Sequence, residues 1–153
     1  MYGLDGVDLK IIDLLQENAR ITLKDIAANV FLPSPAVSAR IEKLERAGVI
    51  EGYHARINRE AFSLQIKAFI SVKTDQGARG RLFEYIRSTG NVIQCDWVTG
   101  EYDLFLEVLF HDTQELDRFL DGLGRFGETR TQIVFSSAVE HRGLPVQEER
   151  IGA

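Results

Sequence analysis

Two groups of residues have the types and spacing to hold another molecule. Ser34, Ala36, Ser38, Arg40 and Lys43 follow one another behind a Ser34-Pro35 pair, mixing small side chains that permit close approach with hydroxyls and cations that bond to oxygen. On one helix they would suit a DNA groove, with Ala36 or the neighbouring Ala39 against a thymine methyl and Arg40 or Lys43 on phosphate or a guanine edge. Arg40 falls toward the flank of such a helix, which favours phosphate. The second group is Gly100, Tyr102 and Asp103 with Thr129 and Thr131. A glycine corner between strands can offer amides to a carboxylate, an aspartate can take an ammonium, and threonines on one side of a strand add hydroxyl donors.

Other reactive types point away from catalysis. His54, His111 and His141 lack paired metal-ligand spacing, and Cys95 has no histidine partner identifiable in the sequence. Cys95 alternates with Ile93 and Trp97, the pattern of a packed side chain. Asp117 and Asp121, one helical turn apart, read as a solvated face. No catalytic residue, metal or cofactor is expected. A single cysteine cannot form an internal disulfide and agrees with a reducing compartment.

The 153 residues allow one medium domain or two small ones. Apolar residues are 44% and charged residues 27%, ordinary for a globular chain and unlike a disordered or fibrous one. Charged residues interrupt every apolar run well short of a membrane span, and the N-terminus lacks the pattern of an export signal, so a cytoplasmic location is expected. The net charge of −5 argues mildly against nucleic acid. Residues 1–57, with seven basic against eight acidic side chains, are the less acidic part.

Residues 5–47 read as three short helices. Asp5 with Asp8 marks the first start, and Val7, Ile11, Leu14 and Leu15 share a face before Asn18 stops it. Thr22 with Asp25 starts the second, with Leu23, Ile26, Ala27 and Val30 inward. Ser34 is expected to cap the third, with Pro35 first in the helix, Val37, Ile41 and Leu44 inward, and Gly48 at its end. Helices this short must pack together, and the Phe31-Leu32-Pro33 link sets a sharp angle of helix-turn-helix type. Residues 49–57 look extended.

From Leu64 the period becomes two. Strands are expected around Ile66–Lys73, Asn91–Val98, Tyr102–Phe110 and Thr129–Val139, with helices carrying Leu82, Phe83 and Ile86, and Leu116, Phe119, Leu120 and Leu123. The order is βαββαβ. Both helices then cover one face of an antiparallel sheet, while Phe105 and Leu109 make the other face apolar as well, so a second copy of the chain is the natural cover.

Several stretches carry a resemblance: Leu4-Asp5 with Asp8 and Ile11-Ile12, Asn18-Ala19-Arg20, Leu23 to Ala27, Pro35 to Ile41, Leu44-Glu45, Gly48 to Tyr53, Val98 to Asp103 and Thr129 to Val134. In order and spacing, from about Leu4 to Leu144, the chain resembles the Lrp/AsnC family of bacterial and archaeal transcription regulators. The resemblance implies an α+β fold: an N-terminal winged helix-turn-helix domain and a C-terminal ferredoxin-like βαββαβ domain that dimerises and binds amino acids between subunits. The expected divisions are 1–48 for DNA binding, 49–63 for strand and linker, 64–144 for effector binding and dimerisation, and 145–153 for a tail. The partners implied are double-stranded DNA, a small-molecule effector of amino-acid type, and further copies of the chain as a homodimer or a higher oligomer such as an octamer. Three departures stand out: Phe31-Leu32-Pro33 where the family often has Gly-Leu-Ser, Ala39-Arg40 where paired arginines are common, and Ser63 in place of a glycine. They bear on operator sequence and phosphate contacts rather than on fold. Competing expectations are a ligand-binding module without DNA contact and a decarboxylase-like enzyme on the same scaffold. The intact caps, apolar stripe and third helix of the first domain favour the regulator.

Overall fold

The structure, a computed structural model, describes residues 3–146. Residues 1 and 2 of the expected first domain and 147–153 of the expected tail lie outside the described residues. The chain forms two compact units, a head made of residues up to Arg56 with those from Glu140, and a body of Ile57–Val139.

The head holds α1 (Gly6–Glu17), α2 (Leu23–Val30) and α3 (Ser34–Arg46). Its helix starts are built by side chains. The Asp8 N–H donates to Asp5 Oδ1 at 2.8 Å and Asp8 Oδ2 accepts from the Asp5 N–H at 3.2 Å, a reciprocal cap on α1. Thr22 Oγ1 accepts the Asp25 N–H at 3.1 Å to start α2. The third start differs from expectation: α3 begins one residue early, Pro33 takes the cap position and Ser34 is the first helical residue. Pro33 already has the extended ψ of 145° a cap needs and its carbonyl accepts from Ala36 at 2.9 Å, but its ring has no acceptor, so no side-chain cap forms. Ile11, Ile26, Ala27, Val37 and Leu44 are buried together. Leu23, expected inward, opens α2 and is exposed.

Past Gly48, at φ 68°, the strand expected over 49–57 is absent. An extended segment becomes a strand only by pairing, and no segment pairs with it among the described residues. A 3-10 turn follows at Arg59–Phe62, and Ser63 takes the left-handed conformation at φ 56°. The end of the described chain returns to the head. Gln16 and the Leu144 backbone exchange two hydrogen bonds of 3.1 and 2.6 Å, and Arg56 pairs with Glu140.

The body runs β1 (Ile66–Thr74), α4 (Arg79–Ser88), β2 (Val92–Trp97), β3 (Leu104–Phe110), α5 (Thr113–Leu123) and β4 (Gly127–Ile133), the βαββαβ order expected. The sheet order is β2-β3-β1-β4 and every pair is antiparallel. Ala68, Ile70 and Val72 of β1 and Leu104, Leu106 and Val108 of β3 pack under Leu82, Ile86, Leu116, Phe119 and Leu123 of the helices. Strand β4 stops at Ile133, not Val139, because it pairs only with β1: Ile133 faces Ala68, and the Val134 N–H makes one further bond, to the Lys67 carbonyl at 2.8 Å. On the opposite face the Phe69 and Phe105 rings stack at 5.3 Å, and Lys67 pairs with Glu107 at 2.7 Å.

Candidate functional site

The inward stripe of Val37 and Leu44 turns the opposite face of α3 outward, and that face carries Pro35, Ala39, Glu42, Lys43 and Arg46. Of the five residues expected to contact DNA, only Lys43 lies on it. Ser34, Ala36, Ser38 and Arg40 are half-buried along the flanks. Residues two apart are turned by about 200°, so that series could not share one face. The missed residues, Pro35, Glu42 and Arg46, were recoverable from a wheel drawn opposite Val37 and Leu44. Two of them are tethered to the helix: Ser38 Oγ donates to Glu42 Oε1 at 3.3 Å, and Arg46 Nε donates to the Glu42 carbonyl at 3.2 Å. Beside them the Tyr53 hydroxyl donates to Glu45 at 2.8 Å; burial, then this bond, pushes the phenol up to about 12.

Arg40 makes contacts within the head that the sequence did not indicate. Its Nη1 donates to Asp8 Oδ1 at 2.6 Å and to Asp5 Oδ2 at 2.8 Å, clasping the start of α1 to the middle of α3. Asp8 is the only buried polar or charged residue among those described, and Arg40 gives it a counter-ion. The Asp8 N–H foremost, and Arg40 next, hold the Asp5 carboxyl below its ordinary value, while Asp5 and then Asp8 raise Arg40 further. One nitrogen of the best phosphate-binding candidate is thus engaged within the head.

Of the expected effector residues, Gly100, Tyr102, Asp103 and Thr129 lie toward one end of the sheet, whereas Thr131, opposite Ile70, sits further along β4. Gly100 adopts φ 130° in the turn between β2 and β3, a backbone conformation that favours glycine. The Asp103 N–H donates to the Val72 carbonyl at 3.0 Å, its carbonyl accepts from Val98 at 2.9 Å, and its Oδ1 accepts from the Thr74 N–H at 2.8 Å. Asp103 therefore ties the turn to the end of β1 with one oxygen, rather than offering its whole carboxylate to an ammonium. The Tyr102 hydroxyl donates to Glu128 at 3.1 Å, which adds β4 to the corner. Thr129 and Thr131 sit in register with Val72 and Ile70, so they share a side as expected and face the helix-covered side of the sheet. Gly127 is required beside them: a Cβ would collide with the Lys73 carbonyl. A cavity of about 290 Å³ lies elsewhere, at Arg59, Glu60, Leu64 and Gln65.

Cys95 and His111 have structural settings. Cys95 packs against the body core, and burial raises its thiol pKa. His111 bonds Glu115 at 2.9 Å at the start of α5, where Asp112 provides the cap. No group of three or more His, Cys, Asp or Glu residues able to hold a metal occurs among the described residues. No helix among them is long and apolar enough to cross a membrane.

Comparison with known proteins matches both halves in order. Residues 4–51 fit the family model for a winged helix-turn-helix DNA-binding domain, and 67–144 that for the Lrp/AsnC ligand binding domain. The HTH-type transcriptional regulator FL11 of Pyrococcus furiosus is 31% identical over 147 residues, covering 94% of this chain and 97% of the relative. Among solved structures, a transcriptional regulator from Neisseria meningitidis in complex with L-Met superposes with a TM-score of 0.86 at 30% identity, over 93% of this chain and 96% of that one. The leucine response regulatory protein of Mycobacterium tuberculosis gives a TM-score of 0.77 at 27% identity, over 93% and 100%. With the helix-turn-helix head, the ferredoxin-like body and both domain matches in sequence order, this chain belongs to the Lrp/AsnC family of transcription regulators.

Proposed function

We propose that the chain regulates transcription by setting the outward face of α3 into the major groove of duplex DNA, and that an amino acid bound at the Gly100–Asp103 corner changes how its copies assemble. The observation that carries this reading is the pairing, in one chain, of a DNA-binding match over 4–51 with a ligand-binding match over 67–144. Lys43 and Arg46 meet phosphate, Ala39 allows close approach to a base, and Glu42 is an acceptor suited to a cytosine amine. Ser34, Ala36 and Ser38 line the flank of the same groove, and Arg40 sets the angle of the helix while its remaining nitrogens face the backbone. At the corner, Gly100, Tyr102 and Thr129 take the bound amino acid, Thr131 adds a hydroxyl further along β4, and Asp103 orients the turn. The L-Met complex of the Neisseria relative supports an amino acid as effector.

The half-buried Phe69, Phe105 and Leu109 support a homodimer formed by covering the open face of the sheet, with higher assembly built from dimers. The chain acts in the cytoplasm and catalyses no reaction. The test is a thermal-shift screen of the full chain against the twenty common amino acids, L-methionine included. A ligand that binds only the folded form stabilises by about 2.7 kcal/mol at a hundredfold excess over its dissociation constant. One or a few amino acids should raise the melting temperature and change affinity for duplex DNA. No shift with any of them contradicts the effector assignment, and absence of DNA binding contradicts the regulator.

A further inference from the structure

Phe31 closes α2 in the left-handed conformation, φ 55° and ψ 41°, and 92% of its surface is exposed. Its N–H donates to the Ala27 carbonyl, a bond any residue can make, and its ring joins neither buried cluster among the described residues. The backbone there suits glycine, and a bulky side chain in this region is uncommon. Both the conformation and the exposure are unfavourable for a phenyl group, so the fold gives no reason for the ring. Its position does: Phe31 stands three residues before Ser34, on the approach to the N-terminal end of α3, the end that a helix-turn-helix directs at base edges.

Charge gives the second line of argument. Residues 1–57 carry seven basic against eight acidic side chains, and Arg40 is engaged by Asp5 and Asp8. Counterion release from phosphate is therefore a modest source of affinity, and apolar contact has to supply more of it. We infer that Phe31 is a DNA-contacting residue, its ring packed on deoxyribose and thymine-methyl surface beside the groove that α3 enters. This rests on the DNA-binding reading above. The ring adds affinity that does not depend on salt and favours thymine at the position it covers.

The experiment uses a duplex enriched from a random pool by the full-length wild-type chain, a scrambled duplex of the same length, and fluorescence anisotropy at several salt concentrations. Phe31→Gly and Phe31→Asn both tolerate the left-handed turn, and Phe31→Tyr keeps the ring. The Gly and Asn variants should melt no lower than wild type yet bind the enriched duplex roughly tenfold more weakly. The salt slope should be unchanged, since no cation is removed, and Phe31→Tyr should retain affinity. Wild-type affinity in both the Gly and Asn variants overturns the inference. So does a fall in their melting temperature, which would make the ring structural, or a changed salt slope, which would mean that cations had moved. If the wild-type chain enriches no duplex, the DNA-binding reading fails and the role of Phe31 falls with it, a result distinct from a wild type that binds and variants that bind equally.

Discussion

Among the described residues the body gathers twelve buried side chains between its sheet and two helices, whereas the head gathers five among three short helices. The body is secured by strand pairing and apolar area. The head relies more on polar work at its helix ends: the Asp5–Asp8 cap, the Thr22 cap and the Arg40 clasp. Helices of this length are marginal alone, so removing one end contact matters more there than losing a surface polar bond in the body. The unit read as meeting DNA is thus the less deeply packed of the two, and its reading helix is aligned by an ion pair that spans 35 residues of sequence.

The largest expected effect lies in the body. Leu106 is fully buried, and Leu106→Ala should cost about 3–4 kcal/mol in chemical unfolding because a cavity is left under both helices. Asp8→Ala should cost about 2–3 kcal/mol, since it strips Arg40 of a partner and removes the Asp8 half of the α1 capping box, while the Asp8 N–H keeps its bond to Asp5. Hydrogen exchange should place that loss in residues 6–46, leaving protection of β1 and β3 intact; equal loss in both units would break the contrast between them.

Acid comes next. The Asp5 carboxyl is lowered in the folded head, so its stabilisation is present above the ordinary carboxylate value of 3.8 and is lost as pH falls through the lower folded value. Head amides should lose protection across that window in wild type, and Asp5→Asn should remove this part of the acid dependence. The smallest effect concerns Tyr102→Phe, which removes the Glu128 bond at a surface position. The unfolding midpoint should stay within error while the melting shift produced by the active amino acid shrinks; an undiminished shift would take Tyr102 out of the effector corner.

Much of this contrast is legible in the sequence where the cause is local. Asp5 and Thr22 announce their helices because a cap acts within three residues, and the alternation of Ile66 to Val72 gives β1 its covered face. What escapes depends on distant partners. Arg40 reads as a free cation until α1 is laid against α3, and only then does the carboxylate of Asp8 meet it. Strand β4 shortens because past Ile133 its pairing with β1 ends after a single Val134–Lys67 bond, and Asp103 becomes a turn anchor because the end of β1 lies beside it. The outward face of α3 is an intermediate case: the wheel contains it, but a list of DNA-friendly residue types does not.

Binding of the wild type and of Lys43→Ala to the enriched duplex, followed from low to physiological salt, tests the reading surface most directly. Lys43 is exposed on α3, so its loss should leave the melting temperature unchanged, weaken binding and reduce the slope of log affinity against log salt by about one. A variant that binds with the wild-type affinity and slope would show that DNA does not meet this face of the helix.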